Sequence, residues 1–260
     1  MTRPTAVGNY IFAGGFTLGV REHFNVLAHV EDGMFGVNTF KLNFPRVPVF
    51  IDRDTWPAGR YKGVALVYCN PPCSPWSAAG SGMKGGGAWK HDPLTSCVGH
   101  ASAFAAQVKP KIWIWESVIR AFTQGRELVD DLTREWNARG YSVTYWLNNL
   151  QHHGVAQTRK RFMLIAHQVE LKWRDIDRCF ITTQEAIGKM RTSDLSFINA
   201  MPEKWKPWLH HVKEGDAVAE TWAKLNPGAN QILSVRLNGK TYVAGRPHLM
   251  AHRIRRGRPC

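Results

Sequence analysis

Two cysteines flank a pair of prolines in the stretch CNPPCSPWS, residues 69–77, directly after the apolar run GVALVY. The prolines restrict the backbone, so a neighbouring thiol is held in one direction. Such a thiol can serve as a nucleophile, a metal ligand or a redox partner. Cys69 falls at the end of a predicted strand, where a cysteine is usually a small buried apolar residue. Cys73 follows the prolines at the start of a helix or tight turn, and we predict that it is the reactive one.

The two cysteines are spaced C-x3-C, and the sequence has no second cysteine pair with the spacing of a zinc site. We therefore predict no metal site. The chain has five cysteines, an odd number, and its N-terminus lacks the apolar stretch of a secretory signal. These features predict thiols in a reducing compartment, the cytoplasm.

The chain carries a formal net charge of +14 and a pI of about 9.9. This balance favours a polyanionic partner, and nucleic acid is the first candidate. Basic residues that serve only solubility are the alternative. Since no apolar run approaches the roughly 20 residues that cross a bilayer, we predict no membrane partner.

Apolar runs alternate with helix-like segments over the first two thirds of the chain. The strand candidates are VGNYIF, NVLAHV, VPVFI, GVALVY, KIWIWE, YSVTYWL and RFMLIAH, and helices are predicted around 16–24, 33–43, 95–108 and 118–139. The alternation predicts an α/β fold with a mainly parallel sheet covered on both faces. Ligands bind at the carboxyl ends of the strands in such sheets, and CNPPC lies at one of them.

The periodicity weakens after about Gln168, where a basic region begins. Its last segment, GRPHLMAHRIRRGRPC, contains five arginines and no acid. We therefore predict a boundary between a domain at 1–170 and a small region at 171–260. The glycine-rich residues 78–93 are predicted to be either a lid over the CNPPC turn or a surface loop.

A glycine pair in YIFAGGFTLGV, residues 10–20, follows a predicted strand and opens a predicted helix. Such a turn lets a ligand approach the backbone at the start of a helix. Glu31 comes sixteen residues after Gly15, at the end of the next predicted strand, where an acid accepts hydrogen bonds from ribose hydroxyls. Together the two features indicate a nucleoside-containing cofactor.

Two further stretches supply a carboxyl group and a pair of guanidinium groups. Glu116 ends the apolar strand WIWESV, where partial desolvation suits a carboxyl to give a proton, although a solvent-facing glutamate is the alternative. Arg159 and Arg161 alternate in QTRKR, so both are predicted to point the same way. Their planar groups are rigid donors for a carbonyl or phosphate oxygen.

Taken in order, the four stretches resemble the DNA cytosine-5 methyltransferase family. They match its FAGxGG-like segment, its PPC turn, its E-x-V strand end and its Q-x-R-x-R, over about residues 8–168. The resemblance implies a Rossmann-like class I S-adenosylmethionine-dependent methyltransferase sheet at 1–170. The region 171–260 would then be a small, basic C-terminal recognition region.

The resemblance also implies a mechanism on a cytosine that has left the duplex. Cys73 would attack C6, Glu116 would contact the N3/N4 edge, and Arg161, aided by Arg159, would bind the O2 side. C5 would then accept a methyl group from S-adenosyl-L-methionine, and loss of the C5 proton would release Cys73.

Cofactor and DNA contacts follow from the same resemblance. The residues expected at the cofactor, with Glu31 at the ribose and Asp52 or Asp54 at the adenine, are Tyr10, Phe12, Ala13, Gly14, Gly15, Glu31, Asp32, Asp52, Asp54, Asn70 and Pro72. Those expected at double-stranded DNA are Ser77, Lys84, Gln157, Arg246, Arg253, Arg255, Arg256 and Arg258.

The sequence departs from the family pattern at five positions. Phe12 occupies a position usually held by glycine, and Gly8 stands where an acid is common. Asn70 replaces the usual small residue before PPC, and Ser74 replaces a common glutamine. Ser117 replaces the asparagine of E-N-V, which normally braces the catalytic loop. These changes are expected either to tune the pocket or to weaken activity.

The sequence contains no G-N-[AS]-V-x-P stretch and stops at RRGRPC, where the ninth motif of the family would begin. Three explanations stand open: a truncated chain, a second chain that supplies the rest, or a lineage with a reduced C-terminus. The family context suggests restriction-modification in a bacterial or phage-infected cell.

Three other functions remain open at this point. An RNA cytosine-5 methyltransferase would share the four motifs. N-P-P at residues 70–72 also begins the N-P-P-[YF] motif of amino-methyltransferases, although cysteine at the fourth place argues against that class. A catalytically weak, DNA-binding methyltransferase-like subunit is the non-enzymatic alternative.

Overall fold

The apolar runs of the first two thirds form a single seven-stranded sheet in the computed structural model of the protein. The structure describes residues 2–34, 36–77, 87–172, 179–182, 185–186 and 211, and the backbone of 232–237 and 240–245. The strands of the sheet are β1 (Thr5–Asn9), β2 (Asn25–Val30), β3 (Val49–Phe50), β4 (Leu66–Cys69), β5 (Ile112–Val118), β6 (Ser142–Asn149) and β7 (Lys160–His167).

Helices connect these strands. They are α1 (Gly15–Val20), α2 (Val37–Asn43), α3 (Ser96–Val108), α4 (Ile119–Thr123) and α5 (Arg126–Ala138). Short 3₁₀ turns lie at Arg53–Thr55, Ala58–Tyr61, Ala88–His91, Pro93–Thr95 and Leu150–His152. All four predicted helical segments contain helix, and the longest, 118–139, is divided into α4 and α5 around Gly125.

The strand order is β3-β2-β1-β4-β5-β7-β6. The neighbours from β3 to β5 pair in parallel, whereas β7 runs antiparallel to β5. The sheet is therefore a mixed α/β sheet in which β7 is antiparallel to β5, and the predicted α/β fold class is confirmed.

Successive residues of the central strands pack on opposite faces of the sheet, as strand geometry requires. On one face, Val67 and Trp113 belong to the larger apolar core, which also contains the buried positions of α3 and α5. On the other face, Leu66 and Tyr68 belong to a smaller core that includes Val20 of α1. The continuous apolar runs of β4 and β5 thus reflect burial on both sides.

The first strand ends three residues before the end of the predicted run VGNYIF. Tyr10 and Phe12 have φ angles of 53° and 57°, in the left-handed region. Residues in that conformation cannot extend a strand, so β1 stops at Asn9 and the chain turns into α1. By contrast, the predicted run NVLAHV coincides with β2.

The chain divides into two compact units, Met1–Asn148 with Lys160–Trp173, and Asn149–Arg159 with Arg174–Cys260. Strands β8 (Ile232–Leu237) and β9 (Lys240–Gly245) of the second unit pair antiparallel. The assignment of catalysis to 1–170 and of target recognition to 171–260 stays a prediction.

Cys69, Cys73 and Cys97 are free cysteines, but Cys179 is disulfide-bonded. The prediction of thiols at all five positions is therefore wrong at Cys179. A disulfide depends on which sulfurs the fold brings within bonding distance, and spacing along the chain does not reveal this. Within the described residues, no helix is long and apolar enough to span a membrane.

The glycine pair at the start of α1 allows a matched test of the fold. Gly14 has a φ of +92°, and a Cβ there would lie 2.4 Å from a ring carbon of Phe44, whereas a Cβ at Gly15 would meet nothing within 4 Å. We expect Gly14→Ala to lower the free energy of unfolding by about 2–4 kcal/mol and Gly15→Ala to change it by less than about 1 kcal/mol. Urea unfolding of the two variants measures the difference, and equal destabilisation would contradict this account of the turn.

Candidate active site

The turn that follows β4, residues 70–77, carries Cys73 at the carboxyl edge of the sheet. The Cys73 carbonyl accepts hydrogen bonds from the backbone N–H groups of Trp76 at 3.1 Å and Ser77 at 3.0 Å. These bonds close the segment into a tight turn, one of the two local structures that the sequence predicted for it. Cys73 itself is half-buried.

Trp76 anchors the far end of this turn in the apolar core. Its side chain is fully buried, with its ring centroid 5.9 Å from that of Trp115 on β5 and 6.1 Å from that of Trp89. Gly125 makes room for it, because a Cβ at Gly125 would lie 2.6 Å from the indole nitrogen. The break between α4 and α5 therefore lies where the indole of the Cys73 turn packs.

The parallel register of β4 and β5 places the start of the turn opposite Glu116. Cys69 pairs with Trp115, so Asn70 and Glu116 are the next residues on the two strands. The Asn70 side-chain nitrogen donates to the Glu116 backbone carbonyl at 3.4 Å and also to the carboxylate atom Oε2. The side chain of Asn70 thus connects the Cys73 turn to the end of β5.

Arg161 reaches the same carboxylate from the other side. The antiparallel register pairs Val118 with Arg161, so Arg161 lies diagonally across from Glu116 on the neighbouring strand. Its Nε lies 2.8 Å from Glu116 Oε1, and the two side chains are only 17% and 11% exposed. The sequence-predicted residues Glu116 and Arg161 therefore form a largely buried ion pair.

The environments of Cys69 and Cys97 differ from that of Cys73. Burial raises the pKa of the fully buried Cys69 thiol well above its ordinary value. Burial also raises the pKa of the Cys97 thiol, opposed by a hydrogen bond with Tyr10. Since the thiolate is the nucleophilic form, these two thiols are poorly reactive. Among the free cysteines of the described residues, Cys73 is the one that is not buried.

A second carboxylate lies after β2, close to the turn that leads into α1. Glu31 Oε2 accepts the backbone N–H of Phe12 at 3.1 Å, and Oε1 accepts the backbone N–H of Asp32 at 3.2 Å. Trp56 donates its indole N–H to the Glu31 carbonyl at 2.9 Å. Nε2 of the fully buried His29 lies 3.3 Å from Oε2. The orientation of the Glu31 carboxylate is therefore fixed by its neighbours.

Phe12 stands at a position where the family has glycine, yet it retains the backbone conformation that glycine favours. Its φ of 57° directs its N–H toward Glu31. Its ring lies against Gly36, where a Cβ would come within 2.7 Å of a ring carbon. Phe12 thus combines a left-handed backbone with a side chain that packs on Gly36.

Tyr10 and Asp32 form a hydrogen-bonded pair next to Glu31. The Tyr10 hydroxyl donates to Asp32 Oδ2 at 3.2 Å, and Arg53 Nη1 lies 3.5 Å from the same oxygen. Burial raises the pKa of Tyr10, and the neighbouring Cys97 and Asp32 raise it further. Tyr10 is therefore a neutral hydrogen-bond donor at physiological pH.

The two aspartates predicted at the adenine lie in the turn after β3, and both are exposed. Asp52 Oδ1 accepts the backbone N–H of Asp54 at 3.1 Å, so Asp52 caps this 3₁₀ turn. The carboxylate of Asp52 thus already has a structural partner.

The residues at this end of the sheet fit S-adenosylmethionine. Gly14 lacks the Cβ that would close the turn, and Glu31, directly after β2, is an acceptor for hydroxyl groups. Asn9 ends β1 fully buried, and neither side-chain atom has a hydrogen-bond partner among the described residues. Its unpaired donor and acceptor suit a polar ligand or a bound water.

Sequence reasoning missed two neighbours of Glu31, which are His29 beside its carboxylate and Trp56 on its backbone carbonyl. His29 lies on β2, two residues before Glu31, and the alternation of an extended chain puts such residues on the same side, a spacing that could have indicated contact. No such signal exists for Trp56, because its contact with Glu31 depends on the path of the chain after β3.

Several other predicted site residues belong to the second unit or lie outside the described residues. Arg159 and Gln157 belong to the second unit, and β7 begins at Lys160, so Arg159 precedes the strand. The Arg159 backbone N–H donates to Asn149 Oδ1 at 3.0 Å. Lys84, Arg246, Arg253, Arg255, Arg256 and Arg258 lie outside the described residues, as do residues 78–86 of the predicted lid.

Comparison with known proteins identifies a family. The family described as C-5 cytosine-specific DNA methylase matches residues 11–236. The chain is 28% identical over 165 residues to the type II methyltransferase M1.HphI of Haemophilus parahaemolyticus, covering 60% of this chain and 44% of that protein. It is 25% identical over 256 residues to the type II methyltransferase M.XorII of Xanthomonas oryzae pv. oryzae, covering 92% of this chain and 54% of that protein. The chain thus spans about half the length of these curated relatives.

The solved structure of the Entamoeba histolytica methyltransferase EhMeth is similar in fold. It superposes with a TM-score of 0.56 at 13% identity, covering 68% of this chain and 57% of that one. This likeness agrees with the strand order described above.

The accessibility of the three free cysteines predicts a selective modification. Under native conditions at about pH 8, iodoacetamide should alkylate Cys73, because the raised pKa values of Cys69 and Cys97 and their burial keep them as protected thiols. Peptide mass spectrometry after a timed reaction measures the three rates, with urea-unfolded protein as the control in which all three react. Alkylation of Cys69 at the rate of Cys73 would contradict the structure.

Proposed function

Because the chain belongs to the C-5 cytosine-specific DNA methylase family, we propose that it transfers a methyl group from S-adenosylmethionine to C5 of a cytosine in duplex DNA. The observation that carries the proposal is the contact of the Cys73 turn with Glu116, whose carboxylate also pairs with Arg161. A half-buried thiol, a buried carboxylate and a guanidinium are thereby held at one edge of the sheet.

Cys73 is the nucleophile of the proposed reaction. Its sulfur forms a bond to C6 of the cytosine, and the electron pair of the 5,6 double bond moves toward C5 and the N3 side of the ring. C5, a poor nucleophile in the aromatic ring, is thereby activated. S-adenosylmethionine, when bound, supplies the methyl group that C5 accepts. Loss of the C5 proton to a base then restores the double bond and expels the Cys73 sulfur.

Glu116 and Arg161 hold the base during this addition. The cytosine must leave the duplex, at a cost of a few kcal/mol, before its ring atoms can be reached. Glu116 contacts the N3/N4 edge and supplies a proton to N3 as negative charge develops there, while Arg161 binds the O2 side, with Arg159 as a further contact. Their ion pair supports this role, because each group is held in place before the base arrives.

The cofactor is held by the turn before α1 and by the residues after β2. Glu31 accepts hydrogen bonds from the ribose hydroxyls, and its orientation by the backbone N–H groups of Phe12 and Asp32 supports that role. The remaining proposed contacts are Tyr10, Ala13, Gly14, Gly15, Asp32, Asp52, Asp54 and Pro72.

Double-stranded DNA is the proposed partner of the basic chain, whose net charge of +14 favours a polyanion. The proposed DNA contacts are Ser77, Lys84, Gln157, Arg246, Arg253, Arg255, Arg256 and Arg258. A second chain that supplies further family motifs is proposed as an additional partner. The bacterial type II relatives support a role in restriction-modification in the cytoplasm.

The proposed function predicts one labelled product. Incubation with radiolabelled S-adenosylmethionine and duplex DNA should yield 5-methyl-2′-deoxycytidine, which nucleoside chromatography separates from the N4-methyl isomer. Label in tRNA but not in DNA would identify an RNA methyltransferase, and the N4 isomer would identify an amino-methyltransferase. Tight DNA binding without cofactor affinity in calorimetry would identify a binding subunit.

Covalent catalysis predicts a stable adduct on duplex DNA that contains 5-fluorocytosine in place of cytosine. The fluorine at C5 cannot leave as a proton does, so the bond between Cys73 and C6 should persist through denaturing electrophoresis. Peptide mass spectrometry locates the modified residue.

A matched pair of variants controls this experiment. Cys73→Ala should form no adduct, whereas Cys69→Ala, which removes a buried thiol of the core, should still form one. An adduct at any cysteine other than Cys73 would refute the proposed nucleophile.

A further inference from the structure

The side chain of Asn70 connects two parts of the proposed catalytic apparatus. It is the first residue after β4, and it donates to Glu116, the buried carboxylate of β5. We propose that Asn70 is a positioning residue, which holds both the Glu116 carboxylate and the start of the Cys73 turn in their working arrangement. This inference rests on the function proposed above and assigns Asn70 a different role from cofactor contact.

The first support is the sharing of the two Glu116 oxygens. Oε1 lies 2.8 Å from Nε of Arg161, and Oε2 accepts the amide of Asn70. The donors come from β7 and from the end of β4, which flank β5 on opposite sides. The carboxyl plane is therefore held from two neighbouring strands, and removal of either donor takes away one of these two contacts.

The second support is the chemistry of the turn itself. Pro71 and Pro72 have no N–H groups, so this part of the turn cannot donate backbone hydrogen bonds to a neighbouring strand. The backbone N–H of Asn70 donates to the Asn9 carbonyl at 3.3 Å, which fixes the turn to β1. Only the Asn70 side chain extends this attachment across to β5, through the Glu116 carbonyl at 3.4 Å, among the hydrogen bonds that the structure describes for residues 70–72.

The third support is the residue that follows Glu116. Ser117 is buried, and its hydroxyl has no hydrogen-bond partner among the described residues. The polar side chain next along β5 therefore contributes no hydrogen bond to the turn. The connection between β5 and the Cys73 turn runs instead from the β4 side, through Asn70.

Asn70 acts on the reaction through Glu116. A base edge that approaches Oε2 meets a carboxylate whose plane is already fixed by the amide, so less ordering is required when the base binds. Loss of the amide should therefore slow covalent attack more than it weakens cofactor binding. This difference distinguishes a positioning role from a general loss of structure.

Asn70→Ala tests the proposal under saturating DNA and cofactor. We expect the single-turnover rate of adduct formation on 5-fluorocytosine DNA to fall by about ten- to a hundredfold, the usual effect of losing a hydrogen bond to a charged group. The Kd for S-adenosylmethionine should change by less than about threefold. Asn43→Ala is the matched control, because Asn43 donates its amide to the Thr39 carbonyl at 3.0 Å on the exposed surface of α2.

Asn70→Asp tests the pH dependence of the rate, which a purely structural role of Asn70 would not change. The new carboxyl would face Glu116, and two adjacent carboxyl groups cannot both be ionised without repulsion. As the pH falls, one of them takes up a proton and can donate again, while Arg161 remains charged. The rate of Asn70→Asp relative to wild type should therefore rise between about pH 8 and pH 6, whereas the ratio for Asn70→Ala should stay flat.

The contact can also be observed without catalysis. In protein labelled with ¹⁵N-asparagine, Glu116→Gln should shift the Asn70 side-chain amide resonances, because the charged acceptor is lost. Failure of wild type to methylate or trap DNA would sink the proposed function, whereas the amide resonances test the contact in either case.

Three results would overturn the positioning role. They are an Asn70→Ala variant within twofold of the wild-type rate, a rate loss matched by equal losses of cofactor affinity and folding stability, and Asn70 amide resonances that do not respond to Glu116→Gln.

Discussion

The Glu116 carboxylate is the constraint on which the carboxyl edge of the sheet depends. It is 8% exposed, and a buried charge requires donors at both oxygens. Arg161 supplies one from β7, and Asn70 supplies the other from the end of β4. Removing one partner of such a buried pair typically costs about 3–5 kcal/mol, so the registers of three strands are tied to the position of one side chain.

The same principle orders the other end of the proposed site. Glu31 is also a nearly buried carboxylate at a strand end, and backbone N–H groups of Phe12 and Asp32 occupy its oxygens. The left-handed conformation of Phe12 makes this possible, at a typical cost of about 1–2 kcal/mol for a residue with a side chain. Two strand-end carboxylates, each with donors from a neighbouring turn, therefore define the region where chemistry is proposed.

The structure shows what three of the residues that depart from the family pattern contact or leave unpaired among the described residues. Phe12 replaces a glycine, but its φ of 57° preserves the conformation of the turn. Asn70 replaces a small residue and provides a hydrogen bond between β4 and β5. Ser117 replaces an asparagine, and its buried hydroxyl has no partner among the described residues. The backbone of Phe12 thus still contacts Glu31. The contact between β5 and the Cys73 turn comes from Asn70 and not from Ser117.

The sequence by itself determined the element types and the fold class. Apolar runs predict strands, and prolines predict turns, because both depend on local backbone geometry. The strand β2 and the Cys73 turn could therefore be predicted from the sequence. Tertiary structure alone decided that β7 runs antiparallel to β5, which brings Arg161 to Glu116, and that Arg159 belongs to another unit. It also decided that Asn70 lies opposite Glu116. Strand direction and register are set by packing between segments distant in the chain, and no local pattern encodes them.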